Sequence, residues 1–189
     1  MRKNQTNPVR DICFIAIITA IIAIFAQISI PMPAGVPFTL QTFIIPLAGI
    51  ILGWKKGSIA VIIYVILGAI GLPVFSQQTG GFACLFGRTG GFILSFPLMA
   101  LFAGFFSDIS INKSLRVKYI FIAAGLVLGS AINYIFGMLM FSFVTSGSLK
   151  EAFIICVLPF IPTSVIKIII TGILGENIRR ILKNGRILT

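Results

Sequence analysis

Apolar residues run along this chain in long, nearly unbroken stretches, each ended by glycine, proline or a cation instead of being punctuated by the polar positions of an amphipathic surface helix. The first stretch covers residues 12–30. Stretches at 37–54 and 57–74 follow, divided by Gly53-Trp54-Lys55-Lys56-Gly57, a corner that sets an aromatic ring and two cations at a membrane interface. A glycine-rich segment, 73–91, interrupts the hydrophobicity before a fourth stretch at 91–107 and a fifth at 119–143. The last, 152–174, is broken by Pro159 and Pro162; Pro162 suits a first helical position, so the helix is expected to begin there and continue toward Lys183. A span needs roughly 20 apolar residues, so the pattern predicts an all-α integral membrane bundle of about six transmembrane helices.

Composition supports that picture and excludes an ordinary soluble domain: 58% of residues are hydrophobic, 10% are charged, and the mean hydropathy is +1.10. Spans would use nearly all of the 189 residues. The run at 12–30 follows Arg2, Lys3 and Arg10 as a secretory signal would, but it exceeds the usual apolar core of about 7–15 residues and is expected to remain as a helix.

Charge then orients the bundle. Alternating the loops places Arg2, Lys3, Arg10, Lys55, Lys56, Lys113, Arg116, Lys118, Arg179, Arg180, Lys183 and Arg186 on one side, twelve of the fifteen cations. By the positive-inside rule that side, with both termini, is cytoplasmic. The formal charge of +11 therefore reflects orientation and anionic headgroups and not nucleic-acid binding.

Three cations depart from the rule. Lys150 adjoins Glu151 in a polar external loop and reads as half of a solvated pair. Lys167 lies within Thr163-Ser164-Val165-Ile166-Lys167-Ile168-Ile169-Ile170, with no acid within a turn. A lysine at a helix centre costs about 2.5–3.5 kcal/mol on insertion scales, so it either snorkels outward or occupies a polar cavity, which Ser164, three residues away on the same face, would share. Arg88, in Phe86-Gly87-Arg88-Thr89-Gly90-Gly91, either meets lipid phosphate or offers its planar fork to a carboxylate ligand. Gln77, Gln78 and Thr79 of the same loop suit a polar, uncharged part of such a ligand.

Catalytic machinery is missing from the pattern. There is no histidine, and the acids Asp11, Asp108, Glu151 and Glu176 all fall near expected helix ends. Cys13, Cys84 and Cys156 lack paired or metal-ligand spacing, so no metal or cofactor is expected. No stretch matches the phosphate-cradling G-x-x-x-x-G-K-[ST] pattern, Gly53–Ser58 being only a superficial fragment of it, so energy for any active transport would have to come from elsewhere. Ala16 and Ala20, one turn apart with Ala23 beyond, fit close helix packing, either inside the bundle or against a partner.

Three segments together carry a resemblance: Val36-Pro37-Phe38-Thr39-Leu40-Gln41-Thr42, Gly68-Ala69-Ile70-Gly71-Leu72-Pro73-Val74-Phe75 and Thr89-Gly90-Gly91-Phe92. The chain resembles BioY, the biotin-specific membrane component of energy-coupling factor (ECF) transporters. The resemblance implies a six-helix S component, one substrate-binding domain over 1–189 in a prokaryotic cell membrane, which captures biotin externally and works with a transmembrane coupling subunit and two cytoplasmic ATPases. It also assigns Ala16 and Ala20 to contact with the coupling subunit. The family's last helix resembles Pro-Gly-Asp-x-x-Lys, where this chain has Pro162-Thr163-Ser164-Val165-Ile166-Lys167; the lysine matches and the aspartate does not. Arg88 stands where the family often has proline.

The expected ligand site is thus Arg88 on the biotin carboxylate, with Ser164, Lys167, Gln77, Thr79 and Asn133 toward the polar ring; Lys167 is the alternative partner for the carboxylate. Competing functions are a self-sufficient secondary transporter of biotin or another organic anion, an intramembrane enzyme acting on lipid, and a ligand-free scaffold.

Overall fold

The computed structural model describes residues 8–32 and 35–185. Arg2, Lys3 and Arg186 lie outside the described residues. The elements are α1 (Pro8–Ala26), β1 (Ser29–Ile30), β2 (Phe38–Thr39), α2 (Gln41–Ala69), α3 (Gly90–Ile109), α4 (Leu115–Thr145), α5 (Leu149–Cys156) and α6 (Ile161–Asn184), with short 3-10 turns at Ser76–Gln78, Phe82–Phe86 and Leu158–Phe160. Five stretches are long and apolar enough to cross a membrane: α1, α2, α3, α4 and the continuous Leu149–Asn184.

The expected pair of spans at 37–54 and 57–74 is one element, α2, broken at a single residue. Gly53 adopts φ 81°, ψ 169°, a conformation essentially restricted to glycine. Helix geometry resumes at once, and Ser58 Oγ donates to Trp54 O at 2.6 Å, so Trp54 to Gly57 are helical and not the expected loop. In an unbroken helix residues 49 and 57 would lie about 12 Å apart. Here a Cβ on Gly57 would stand 2.6 Å from the Cα of Gly49, so the two limbs fold back against each other.

Other boundaries shift for local reasons. α1 stops at Ala26, four residues early, because the next residues pair across a short antiparallel ladder, Ser29 with Thr39 and Ile30 with Phe38. That pairing, with Pro37 disfavouring helix before it, delays α2 to Gln41. The second limb ends at Ala69, where Gly71 turns with φ 108°. α6 begins at Ile161, one residue before the proline expected to start it.

Ion pairs gather several helix ends at one pole of the bundle. Lys56 Nζ meets Asp11 Oδ1 at 2.7 Å, and Lys118 Nζ meets Glu176 Oε1 at 2.9 Å. Asp108 pairs with Arg179 and accepts the Trp54 backbone N–H at 3.0 Å, which ties α3 and α6 to the Gly53 corner. Several cations of the basic pole are therefore engaged by acids of neighbouring helices. At the other pole, Lys150 and Glu151 do not form the expected pair: the Glu151 carboxylate accepts from Ser148 N at 3.0 Å in a capping box that starts α5, where a carboxylate also suits the positive helix end.

Between the poles the core is apolar and tight, with Ile22, Ile45, Ile50, Ala60, Val61 and Tyr64 fully buried. Isoleucine, leucine and phenylalanine cover the outside, among them Ile12, Ile17, Ile120, Phe143 and Ile166. Such a surface suits lipid and not water.

Candidate ligand-binding site

Away from the ion-paired pole, the helices splay around a cavity of about 240 Å³. Its walls come from five parts of the chain: the Gly35–Thr42 segment, the loop between α2 and α3, the start of α3, the middle of α4, and α5 with the start of α6. Phe75, Phe92, Ile93, Phe96 and Phe160 supply apolar surface, and hydroxyl, amide and ammonium groups break it at a few points. That mixture is the usual composition of a small-molecule site.

Lys167 is the one charged side chain lining the cavity among the described residues. Its ammonium donates to Thr39 O at 2.6 Å and Thr42 Oγ1 at 2.9 Å, and lies 4.2 Å from the centre of the Phe38 ring. Phe38 in turn stacks on Phe160, with planes 8° apart. The cation thus turns inward, and neutral oxygens and a ring face stand in for the missing acid. Ser164, one turn earlier, lines the same cavity and shares a short hydrogen bond with the Tyr134 hydroxyl.

Asn133 is buried, and its amide nitrogen donates to Phe92 O at 3.0 Å and Ser95 Oγ at 2.8 Å. Those bonds fix the amide and leave its oxygen without a protein partner beside the cavity. Gln77 and Thr79 line the cavity from the loop between α2 and α3; Thr79 Oγ1 donates to Ser76 O at 2.8 Å, closing a tight turn. Arg88 is not part of the wall. It is exposed, with its guanidinium over Gly35 at the cavity's edge, where a Cβ on that glycine would stand 3.2 Å from Nη1.

Structure adds residues that the sequence pattern did not single out. Gln41 is buried at the cavity in the first turn of α2, its amide nitrogen donating to the Tyr64 hydroxyl at 2.7 Å. The Ser76 hydroxyl is buried there without a hydrogen-bond partner, a group that a ligand would satisfy. Thr39 and Thr42 were visible as polar positions just ahead of an apolar run, but nothing local indicated that they face Lys167, 125 residues and more along the chain. Cys84 and Cys156 also line the cavity, while Cys13 is exposed on α1. Ala16 and Ala20 both lie on the exposed face of α1, so they do not serve packing inside the bundle.

The BioY family model matches residues 1–184. The chain belongs to the BioY family. It is 36% identical over 170 residues to the probable biotin transporter BioY of Pyrococcus horikoshii, covering 90% of this chain and 96% of the relative. It is 35% identical over 172 residues to the biotin transporter BioY of Thermotoga maritima, covering 91% and 97%. The fold is similar to the crystal structure of the S-component for biotin from an ECF-type ABC transporter, with a TM-score of 0.83, 31% identity and 95% of each chain covered.

Proposed function

We propose that this chain is the biotin-binding membrane subunit of an energy-coupling factor transporter, taking biotin from the external face for ATP-driven uptake. The observation that carries the proposal is the cavity itself: apolar and aromatic walls, neutral hydrogen-bonding groups and one inward-facing cation, in a chain of the BioY family. Biotin combines an apolar chain, a neutral ureido ring and a carboxylate. No acid–base pair lines the cavity among the described residues, so its chemistry suits binding and release, not turnover.

The ring is placed deep, where Lys167, Ser164 and Asn133 offer donors and acceptors, with Gln77 and Thr79 on the loop side. The carboxylate is placed toward the edge, near Arg88. Leaving the charged end close to water avoids most of its desolvation cost, whereas burying the neutral ring costs less once its hydrogen bonds are made.

The Gly53 hairpin supplies a sixth crossing, which would put both ends of the chain at the ion-paired, basic pole on the cytoplasmic side of a prokaryotic plasma membrane. Ala16 and Ala20, exposed on α1, would let a transmembrane coupling subunit approach closely, with two ATPases below it. Purified protein should carry or bind labelled biotin at one per chain. No binding would discard the proposal, and uptake by the chain alone, in a host without coupling subunits, would favour a self-sufficient transporter.

A further inference from the structure

Gln27 follows the last residue of α1, and its side chain leaves that helix to grip the loop after α2. Its amide nitrogen lies 3.1 Å from Ala23 O, 3.4 Å from Pro73 O, 3.2 Å from Val74 O and 3.2 Å from Phe75 O. Its amide oxygen accepts the backbone N–H of Gln78 at 3.0 Å. One side chain thereby engages backbone carbonyls ahead of the turn at Ser76–Gln78 and the N–H of its last residue.

That turn is strained. Gln77 and Gln78 have φ of 60° and 56°, two consecutive non-glycine residues in the left-handed region. Such conformations persist only where surrounding contacts impose them. The same turn presents Phe75, Ser76, Gln77 and Thr79 to the cavity. α1, which carries the grip, is lined outside by Ile12, Ile17 and Ile24, all more than half exposed.

We infer that Gln27 is a positioning residue for ligand retention: it holds the loop at 73–78 in the shape that walls the cavity, and so makes the ligand's residence depend on where α1 stands. The inference rests on the cavity being the ligand site. A displacement of α1 would withdraw the amide from the loop, free the two left-handed residues to relax, and open that wall.

Full-length protein bearing Gln27→Ala, Gln78→Gly or both, in detergent or nanodiscs, tests this with labelled biotin. Gln27→Ala is expected to raise the dissociation rate roughly tenfold with the association rate little changed. Gln78→Gly should restore much of the residence time in the Gln27→Ala background, because glycine takes the left-handed shape without steric penalty. The Gln78 side chain, which the sequence suggested for the polar part of a ligand, is exposed and does not line the cavity, so on its own this substitution should change binding little. Unchanged dissociation in Gln27→Ala overturns the inference. So does faster dissociation accompanied by a fall in association rate and thermal stability that Gln78→Gly does not rescue, which marks a general structural role. Should the wild type bind no biotin, the ligand assignment fails separately, and amide hydrogen exchange across 73–79 in ligand-free protein decides: faster exchange in Gln27→Ala, slowed again by Gln78→Gly, supports the latch, and unchanged exchange removes it.

Discussion

The ammonium of Lys167 stands 4.2 Å from the centre of the Phe38 ring, and the ring is held in place by stacking on Phe160. α6 and the segment before α2 thus meet at a cation with no carboxylate beside it, so the position of Lys167 depends on an aromatic face and two oxygens. Replacing Phe38 by leucine keeps the apolar volume and removes the ring. We expect biotin affinity to fall roughly fivefold to thirtyfold, as a desolvated cation–π contact is worth about 1–2 kcal/mol. Titration calorimetry on the folded variant measures it; unchanged affinity would show that the ring does not position the ammonium.

Lys167→Met keeps much of the aliphatic stem and removes the charge. A hydrogen bond from a charged donor contributes about 1.5–3 kcal/mol, so binding should weaken about 10-fold to 150-fold while the protein still folds, because no buried anion is left behind. Wild-type affinity in this variant would remove Lys167 from the site.

Arg88 and Lys167 should differ in their response to salt. Arg88 is exposed, and screening over a Debye length of about 10 Å at 0.1 M reaches it, whereas Lys167 is sheltered. The affinity lost in Arg88→Ala is expected to shrink at about 1 M salt, with the loss in Lys167→Met persisting. Equal salt sensitivity would contradict the placement of the carboxylate near the open edge.

Gly53→Ala tests the hairpin. Its φ of 81° with ψ of 169° costs a non-glycine residue about 1–3 kcal/mol, and the new methyl would lie 2.9 Å from Asp108 Oδ2. The melting temperature in detergent should fall by several degrees, and a shift within error would mean the corner relaxes freely.

The Asp108–Arg179 pair is largely buried on the arginine side, where 9% of the side chain is exposed. Arg179→Met alone should destabilise by about 3–5 kcal/mol by stranding the carboxylate, and adding Asp108→Leu should recover a large part. A double-mutant cycle on thermal stability reads the coupling, and additive losses would show that the two groups act independently.

Membrane residence, the approximate helices and the chemistry of Lys167 and Ser164 were decided by the sequence, because each depends on the residues themselves and their near neighbours. An apolar run of span length has one low-energy destination, and a lysine inside such a run demands a polar environment wherever the helix goes. Tertiary structure alone decided which oxygens face that lysine, that Arg88 sits at the edge instead of within the wall, that Gln41 and Ser76 look into the cavity, and that Gln27 grips a loop about fifty residues away. These relationships come from segments distant along the chain brought together by the packing of the helices against one another. No periodicity within one segment encodes which face of another it will meet.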